Sequence, residues 1–308
     1  MYIKGIERET ELGEELLLSD NIVVLGAFDG LHEGHMSLIK EAMKSAEVSG
    51  ARSCVFALTS LPGNSLRITS DSQRSELLCA AGVDLFVTQS FTERFRRLKP
   101  EEFFEKYIAG ALNAKSVITG FNYSFGCMGI GNNTLLTKLC AEAGIEHIVI
   151  PPIINGGLPV SSTRIRSAVR NGDLLVARQM LGRYFSLRGI VVESDKIGRS
   201  IGFPTANLQP CVKYVMPPHG VYSTIVKVDG AFYDAVTNCG GKPMIREGVN
   251  IVETHIINFD GDLYGCDIEV YFVERICDIV KFLNIFGLSA CLDTDVNISK
   301  IQILTNRQ

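Results

Sequence analysis

Tryptophan is absent, which by itself excludes nothing. Other absences decide more. No apolar run approaches the roughly 20 residues a helix needs to span a bilayer, so no transmembrane helix is expected. The first residues, Met1-Tyr2-Ile3-Lys4-Gly5-Ile6-Glu7-Arg8-Glu9, contain no apolar h-region, so no secretory signal is expected. Nine cysteines are present, an odd number, and none forms a C-x-x-C pair. Scattered through apolar stretches, they fit small buried hydrophobes in a reducing cytoplasm rather than a zinc site or a disulfide framework. A surplus of positive charge is missing too: 30 Lys and Arg against 34 Asp and Glu leave a net charge of −4. This argues against a broad basic surface for nucleic acid, but leaves room for a small basic pocket that takes a phosphorylated molecule. There is no internal repeat, no low-complexity stretch and no Walker A loop; Gly240-Gly241-Lys242-Pro243 does not qualify.

What is present suits two domains, since 308 residues at roughly 150 per domain give about two. Apolar residues at 46% and charged residues at 21% are an ordinary globular balance. The first half alternates. Short apolar strands are expected at 21–25, 54–58, 84–88, 116–119 and 146–150, and helices at 32–48, 72–80, 100–111 and 134–143. Strands separated by helices indicate parallel βαβ units, hence a doubly wound α/β domain with its ligand beyond the carboxyl ends of the strands. After two short helical segments the texture changes near residue 183. Period-two, β-branched runs follow, with Asp229-Gly230 as a hairpin turn and Asp260-Gly261 between two further strands. A small antiparallel barrel is expected there. The expected division is 1–182 and 183–308.

Gly26-Ala27-Phe28-Asp29-Gly30-Leu31-His32-Glu33-Gly34-His35 follows the first strand and opens the first helix. Its glycines let backbone approach a ligand, and the helix start offers free N–H groups to phosphate. His32 and His35, three apart, can point at one ligand. On the residues alone they could equally be caps, metal ligands or phosphate donors.

The string resembles the G-x-F-D-G-x-H-x-G-H of the FMN adenylyltransferase module of bacterial FAD synthetases, within the nucleotidylyltransferase superfamily. Thr119 to Gly126 resembles that family's G-x-[DN]-F-x-F-G stretch, and Ser161-Ser162-Thr163-Arg164-Ile165-Arg166 its S-S-T-x-I-R motif. The resemblance implies a Rossmann-like fold in which Gly26, Phe28, Gly30 and Gly34 meet ATP. Ser162, Thr163 and Arg166 would hold its phosphates, Asn122 would lie at the flavin, and His32, His35 and Arg166 would be catalytic. Two features depart from the pattern. Leu58-Thr59-Ser60-Leu61-Pro62 replaces F-x-P-H-P, and Asn132 stands where an acidic residue is common.

In the second half, Gly198-Arg199-Ser200-Ile201-Gly202-Phe203-Pro204-Thr205-Ala206-Asn207 runs from a glycine-bearing loop into extended chain. There Thr205 and Asn207 face one side, and their oxygens suit a hard cation such as Mg²⁺. G-F-P-T-A-N is similar to the riboflavin kinase signature. Asn238-Cys239-Gly240-Gly241, Val252-Glu253 and Asp262-Leu263-Tyr264-Gly265 follow in that family's order. The resemblance implies Thr205 and Asn207 as Mg²⁺ ligands and Glu253 as general base. It also implies Lys196, Gly198 and Gly202 over the ATP phosphates, and Tyr264 and Cys277 at the flavin. Here Cys277 and Ile279 replace an Arg and a Glu of R-I-R-D-E-x-x-F, and Pro243-Met244-Ile245 replaces P-[ST]-F. Arg to Cys deletes a planar cationic fork.

The resemblance spans about residues 18–295. It implies a cytoplasmic, Mg²⁺-dependent transferase. Riboflavin and ATP would give FMN and ADP, and FMN and ATP would give FAD and pyrophosphate, with no nucleic acid or membrane partner. Three alternatives stand beside it: an adenylyltransferase with an impaired kinase half, an adenylyltransferase for another phosphorylated molecule, and a flavin-binding protein without turnover.

Overall fold

A computed structural model describes residues 2–6, 20–59, 66–193, 205–240 and 251–277. The chain divides into two compact units, Met1–Ser65 with Asp71–Val160, and Leu66–Ser70 with Ser161–Gln308.

The first unit is built on a six-stranded parallel sheet. Its strands are β1 (Tyr2–Ile6), β2 (Asn21–Gly26), β3 (Arg52–Leu58), β4 (Leu85–Gln89), β5 (Ala114–Gly120) and β8 (Glu146–Ile150), in the order β1-β4-β3-β2-β5-β8. Two-residue pairings complete the strands: β6 (Ser124–Phe125) with β7 (Gly131–Asn132), and β9 (Ile154–Asn155) with β10 (Leu158–Pro159). Alternate residues of β2 feed two separate cores, which is why it reads as a continuous apolar run. Ile22 and Val24 pack under α1 (Glu33–Ser49) and α2 (Asp71–Ala80). Val23 and Leu25 pack on the other side with Phe103, Tyr107, Leu136 and Cys140. The strand order reverses between β2 and β5. In a doubly wound sheet the ligand crevice lies at such a reversal, beyond the carboxyl ends.

Three local features were not anticipated. β1 adds an edge strand in parallel to β4, with Tyr2 opposite Leu85. A one-turn helix, α3 (Glu93–Arg96), is capped by the Thr92 side chain. The helix expected over 100–111 begins as α4 (Pro100–Phe103) and then widens to a π-helix over Phe104–Ala111. Phe103, Phe104, Tyr107, Ile108 and Ala111 are buried along this segment. α5 (Asn133–Glu142) then leads into β8.

The second unit holds α6 (Ser162–Asn171), α7 (Leu174–Leu181) and a closed antiparallel barrel. Its strands are β11 (Phe185–Val192), β12 (Ala206–Pro210), β13 (Gly220–Val228), β14 (Ala231–Gly240), β15 (Ile251–Ile256) and β16 (Asp267–Cys277), ordered β11-β12-β15-β14-β13-β16. Closure leaves no free sheet edge. The β13–β14 hairpin turns at Asp229 (φ 47°) and Gly230 (φ 84°), both left-handed as a type I′ turn requires. Leu187, Tyr222, Val226, Val252, Val270 and Phe272 fill the core. Residues 66–70 belong to this unit although they lie far upstream. Arg67 N donates to Lys213 O (2.8 Å), and Val215 N donates to Arg67 O (2.8 Å).

The cysteines only partly follow the buried reading. Cys54, Cys140 and Cys239 are buried, and burial pushes their thiols up to about 12, 11 and 12, with Arg52 opposing it at Cys54. Cys79, on α2, and Cys211, just past β12, are exposed.

Candidate active sites

In the first unit, β2 ends at Gly26 and the chain turns sharply. Phe28 (φ 51°), Gly30 (φ 86°) and Leu31 (φ 38°) are left-handed. For Phe28 and Leu31 this costs on the order of 1–3 kcal/mol each and must be held by packing. Both side chains are wholly buried, and Leu31 N donates to Phe28 O (3.3 Å). Phe28 folds back over Gly26, where a Cβ would lie 3.0 Å from its ring tip.

His32 then caps α1, its Nδ1 accepting from His35 N at 3.3 Å. A neutral His32 therefore carries its proton on Nε2, an assignment made from this hydrogen bond. The His32 and His35 rings stack, with centroids 3.6 Å apart and planes within 14°. Phe28 lies tilted against His35 at 5.1 Å. A Cβ on Gly34 would crowd this stack, meeting Cε1 and Nδ1 of His32 at 3.2 Å. The predicted residues Gly26, Phe28, Gly30, His32, Gly34 and His35 thus form one continuous turn and helix start.

Arg74 was missed in the sequence. It is fully buried on α2. Its Nη1 donates to Ala27 O (3.0 Å), its Nη2 donates to Leu58 O (3.1 Å) and pairs with Asp71, and its guanidinium lies over Phe86. A lone Arg on a helix of low amphipathicity reads as a solvent-facing residue, so no local signal marks it.

Beyond β5, Asn122 is exposed in a tight turn closed by Tyr123 N donating to Gly120 O (3.1 Å). Asn133 anchors this turn, its Nδ2 donating to Gly120 O (3.0 Å) and Phe121 O (3.1 Å). Thr119 and Thr137 each hydrogen-bond a ring nitrogen of His147, at 2.9 and 2.8 Å. Burial lowers the His147 pKa and raises that of the Tyr123 hydroxyl. Asn132, the departure from an acidic residue, caps α5 by accepting from Leu135 N (3.0 Å). Asn and Asp serve equally well in that position.

In the second unit, Ser161 caps α6 by accepting from Arg164 N (3.3 Å). Ser162 and Thr163 stand in the first turn of α6, where helix N–H groups favour an anion. Arg166 is half-buried, its Nε donating to Leu66 O (2.7 Å).

In the barrel, Asn207 on β12 lies directly opposite Glu253 on β15, so both side chains share a face. Thr205 Oγ1 donates to Glu253 Oε1 at 2.7 Å. Asn238 on β14 is opposite Glu253 from the other side. Its Oδ1 is buried and has no hydrogen-bond partner among the described residues. With its proton committed to Glu253, the Thr205 hydroxyl keeps lone pairs to offer, as do the two amide oxygens. This oxygen-only donor set fits a hard cation. Tyr264 is partly exposed in the β15–β16 loop, its backbone N donating to Asp262 Oδ1 (3.1 Å). Lys196, Gly198, Gly202 and Ile279 lie outside the described residues, as does the side chain of Cys277 at the end of β16.

Two family models match in tandem, FAD synthetase over residues 15–164 and riboflavin kinase over 181–303. The bifunctional riboflavin kinase/FMN adenylyltransferase of Listeria monocytogenes is 31% identical over 285 residues, 90% of either chain. That of Bacillus subtilis is 32% identical over 287 residues, 89% of this chain and 90% of its own. The chain belongs to the bifunctional riboflavin kinase/FMN adenylyltransferase family. A crystal structure described as a macrolide-efflux protein from Streptococcus pneumoniae matches over all of both chains, at 30% identity and a TM-score of 0.82. Among the described residues no helix is long and apolar enough to cross a membrane. Within the family framework, the FAD synthetase match takes in the histidine turn and Asn122 and ends inside α6, two residues before Arg166. The riboflavin kinase match takes in the Thr205, Asn207 and Glu253 cluster.

Proposed function

We propose that the protein phosphorylates riboflavin to FMN in its barrel half and adenylylates FMN to FAD in its α/β half, using ATP in both steps, in the cytoplasm. Residues 183–308 are assigned to the kinase and residues 1–182 to the adenylyltransferase. The observation that carries the reading is the Glu253 carboxylate, hydrogen-bonded by Thr205 and directly opposite Asn207.

In the kinase step the riboflavin 5′-oxygen attacks the γ-phosphorus of ATP, and ADP leaves. Glu253 takes the hydroxyl proton, and Thr205 holds that carboxylate in one orientation, so the base is aimed before substrate arrives. Thr205 and Asn207 are assigned to Mg²⁺, with Asn238 Oδ1 available beside them; bound there, Mg²⁺ would neutralise phosphate charge. Lys196, Gly198 and Gly202 are assigned to the ATP phosphates, and Tyr264 and Cys277 to the flavin rim.

In the adenylyl step a phosphate oxygen of FMN attacks the α-phosphorus of ATP, and the bond to the β-phosphate breaks, releasing pyrophosphate. The protein needs no covalent nucleophile, only positioning and charge neutralisation. His32 presents Nε2–H as a fixed donor because its Nδ1 is tied to the cap, and His35 stacks beside it. Gly26, Gly30 and Gly34 let backbone N–H groups come close to ATP, and Phe28 shapes that backbone from the core. Ser162, Thr163 and Arg166 are assigned to the β- and γ-phosphates, and Asn122 to FMN.

Chromatography of products from riboflavin, ATP and Mg²⁺ tests the proposal, with FMN and then FAD expected and both lost on chelation of Mg²⁺. A protein that makes FAD only from added FMN refutes the kinase assignment, as the Cys277 replacement would explain. A protein that makes neither refutes both.

A further inference from the structure

We infer that Arg74 is a positioning residue for adenylylation: its guanidinium orients the peptide plane from which the His32–His35 turn departs. The inference rests on the reading of that turn as the adenylylation site.

The last paired residues of β2 and β3 are Gly26 and Ala57. Ala27 and Leu58 come one residue later on each strand, where the β2–β3 ladder has already stopped. Their carbonyls both accept from Arg74, at 3.0 and 3.1 Å. One planar side chain thus adds a rung to the sheet where the backbone cannot supply one. The Ala27 carbonyl belongs to the peptide plane shared with Phe28, so its direction sets the φ of Phe28. That φ is 51°, in the left-handed region that a bulky residue adopts only when held there. Four residues on stands His32, whose ring is placed by the same turn.

The charge is well accommodated. Asp71 pairs with Nη2 and Phe86 lies 5.6 Å beneath the guanidinium carbon, as a fully buried arginine requires. Lysine could keep the charge, but not the fork that reaches two carbonyls and a carboxylate in one plane. α2 turns Gln73 and Ser75 inward beside Arg74, so this end of the helix is a polar brace for the strand ends rather than an apolar stripe.

The test uses the full chain with Arg74→Lys and Arg74→Ala, measured for FAD formation from FMN and for FMN formation from riboflavin. Displacing the turn should lower the adenylylation kcat about 30- to 100-fold in both variants. KM for FMN and ATP should stay within about threefold, because Arg74 is wholly buried and acts only through the backbone it holds. Riboflavin phosphorylation should be unchanged. Millimolar guanidinium, far below the molar concentrations that unfold proteins, should restore much of the activity of Arg74→Ala and none of that of Arg74→Lys. A wild-type kcat in Arg74→Lys overturns the inference. So does a loss that guanidinium does not rescue and that falls equally on both reactions, because a purely structural role would do that. If Arg74→Ala fails to fold, the kcat and KM of Arg74→Lys decide alone. Wild-type protein that forms no FAD from FMN overturns the functional reading itself, an outcome visible before any variant is made.

Discussion

Replacing Gly34 by Ala separates rate from stability. Gly34 lies in the first turn of α1 with an ordinary backbone conformation, so alanine there would normally gain up to about 1 kcal/mol of helix propensity. The added methyl would sit 3.2 Å from Cε1 and Nδ1 of His32, a few tenths of an ångström inside the roughly 3.5–4.0 Å at which carbon contacts are optimal. Overpacking of this kind costs about 1–3 kcal/mol if nothing yields. The ring can yield, but only by tilting off its bond from His35 N. Gain and cost then nearly cancel, and the melting temperature should move by no more than about 3 °C. The displaced Nε2–H no longer meets the developing phosphate charge, and kcat for FAD formation should fall about 30- to 100-fold. Gly144→Ala is the matched control. Its φ is +69° and nothing lies within 4 Å of the new methyl. It should cost about 1 kcal/mol of backbone strain, lower the melting temperature by about 2–4 °C and leave kcat alone. Thermal scans by circular dichroism and initial rates of FAD formation measure both quantities. A Gly34→Ala protein with wild-type kcat would refute the reasoning, as would one whose rate falls only in step with its melting temperature.

Three further outcomes are expected. Glu253→Gln keeps a group that can accept from Thr205 but no longer takes a proton, so FMN formation should drop by about 10² to 10⁴ while FAD formation from supplied FMN persists; equal loss of both would contradict two independent sites. Asn132→Ala should cost about 1 kcal/mol through the lost α5 cap, read as a lower melting temperature, whereas Asn132→Asp should not. Burial depresses the His147 pKa below its ordinary value of 6.5, so the unfolded chain binds a proton that the folded one refuses. Stability from this group is complete above about pH 6.5 and declines as the pH falls toward the folded pKa. Denaturant titrations across that range should show a shallower pH slope in His147→Gln than in the wild type.

The parts legible in the sequence are those where structure and chemistry are local. β2 and β3, buried on both faces, read as unbroken apolar runs. The hairpin at Asp229-Gly230 needs two left-handed residues and shows them. The histidine turn is contiguous, and the two-residue spacing of Thr205 and Asn207 survives into an extended strand. The contact of Thr205 with Glu253 could be inferred only through motif order, since 48 positions separate them. What escaped depends on distant partners. β1 is five residues of edge strand whose pairing with β4 spans some 80 positions. The π-helix leaves no periodic trace, because Phe103, Phe104, Tyr107, Ile108 and Ala111 recur at ordinary α-helical spacing and read as an α-helix. Arg74 carries a charge, so its complete burial is visible only once the carbonyls of Ala27 and Leu58 are in place.

The membership of residues 66–70 in the second unit bears on how the chain is made. Arg67 leaves the ribosome long before Lys213 and Val215, the residues it bonds, because nearly 150 residues of synthesis intervene. At about 5–20 residues per second that is a wait of roughly 7–30 s. During it the parallel sheet of the first unit can assemble up to β5 and β8, but the short stretch between β3 and α2 has no strand to pair with. The second unit thus takes in a piece of chain translated before any of its barrel, and the bridge of Arg67 to Tyr214 forms only once that later segment has emerged.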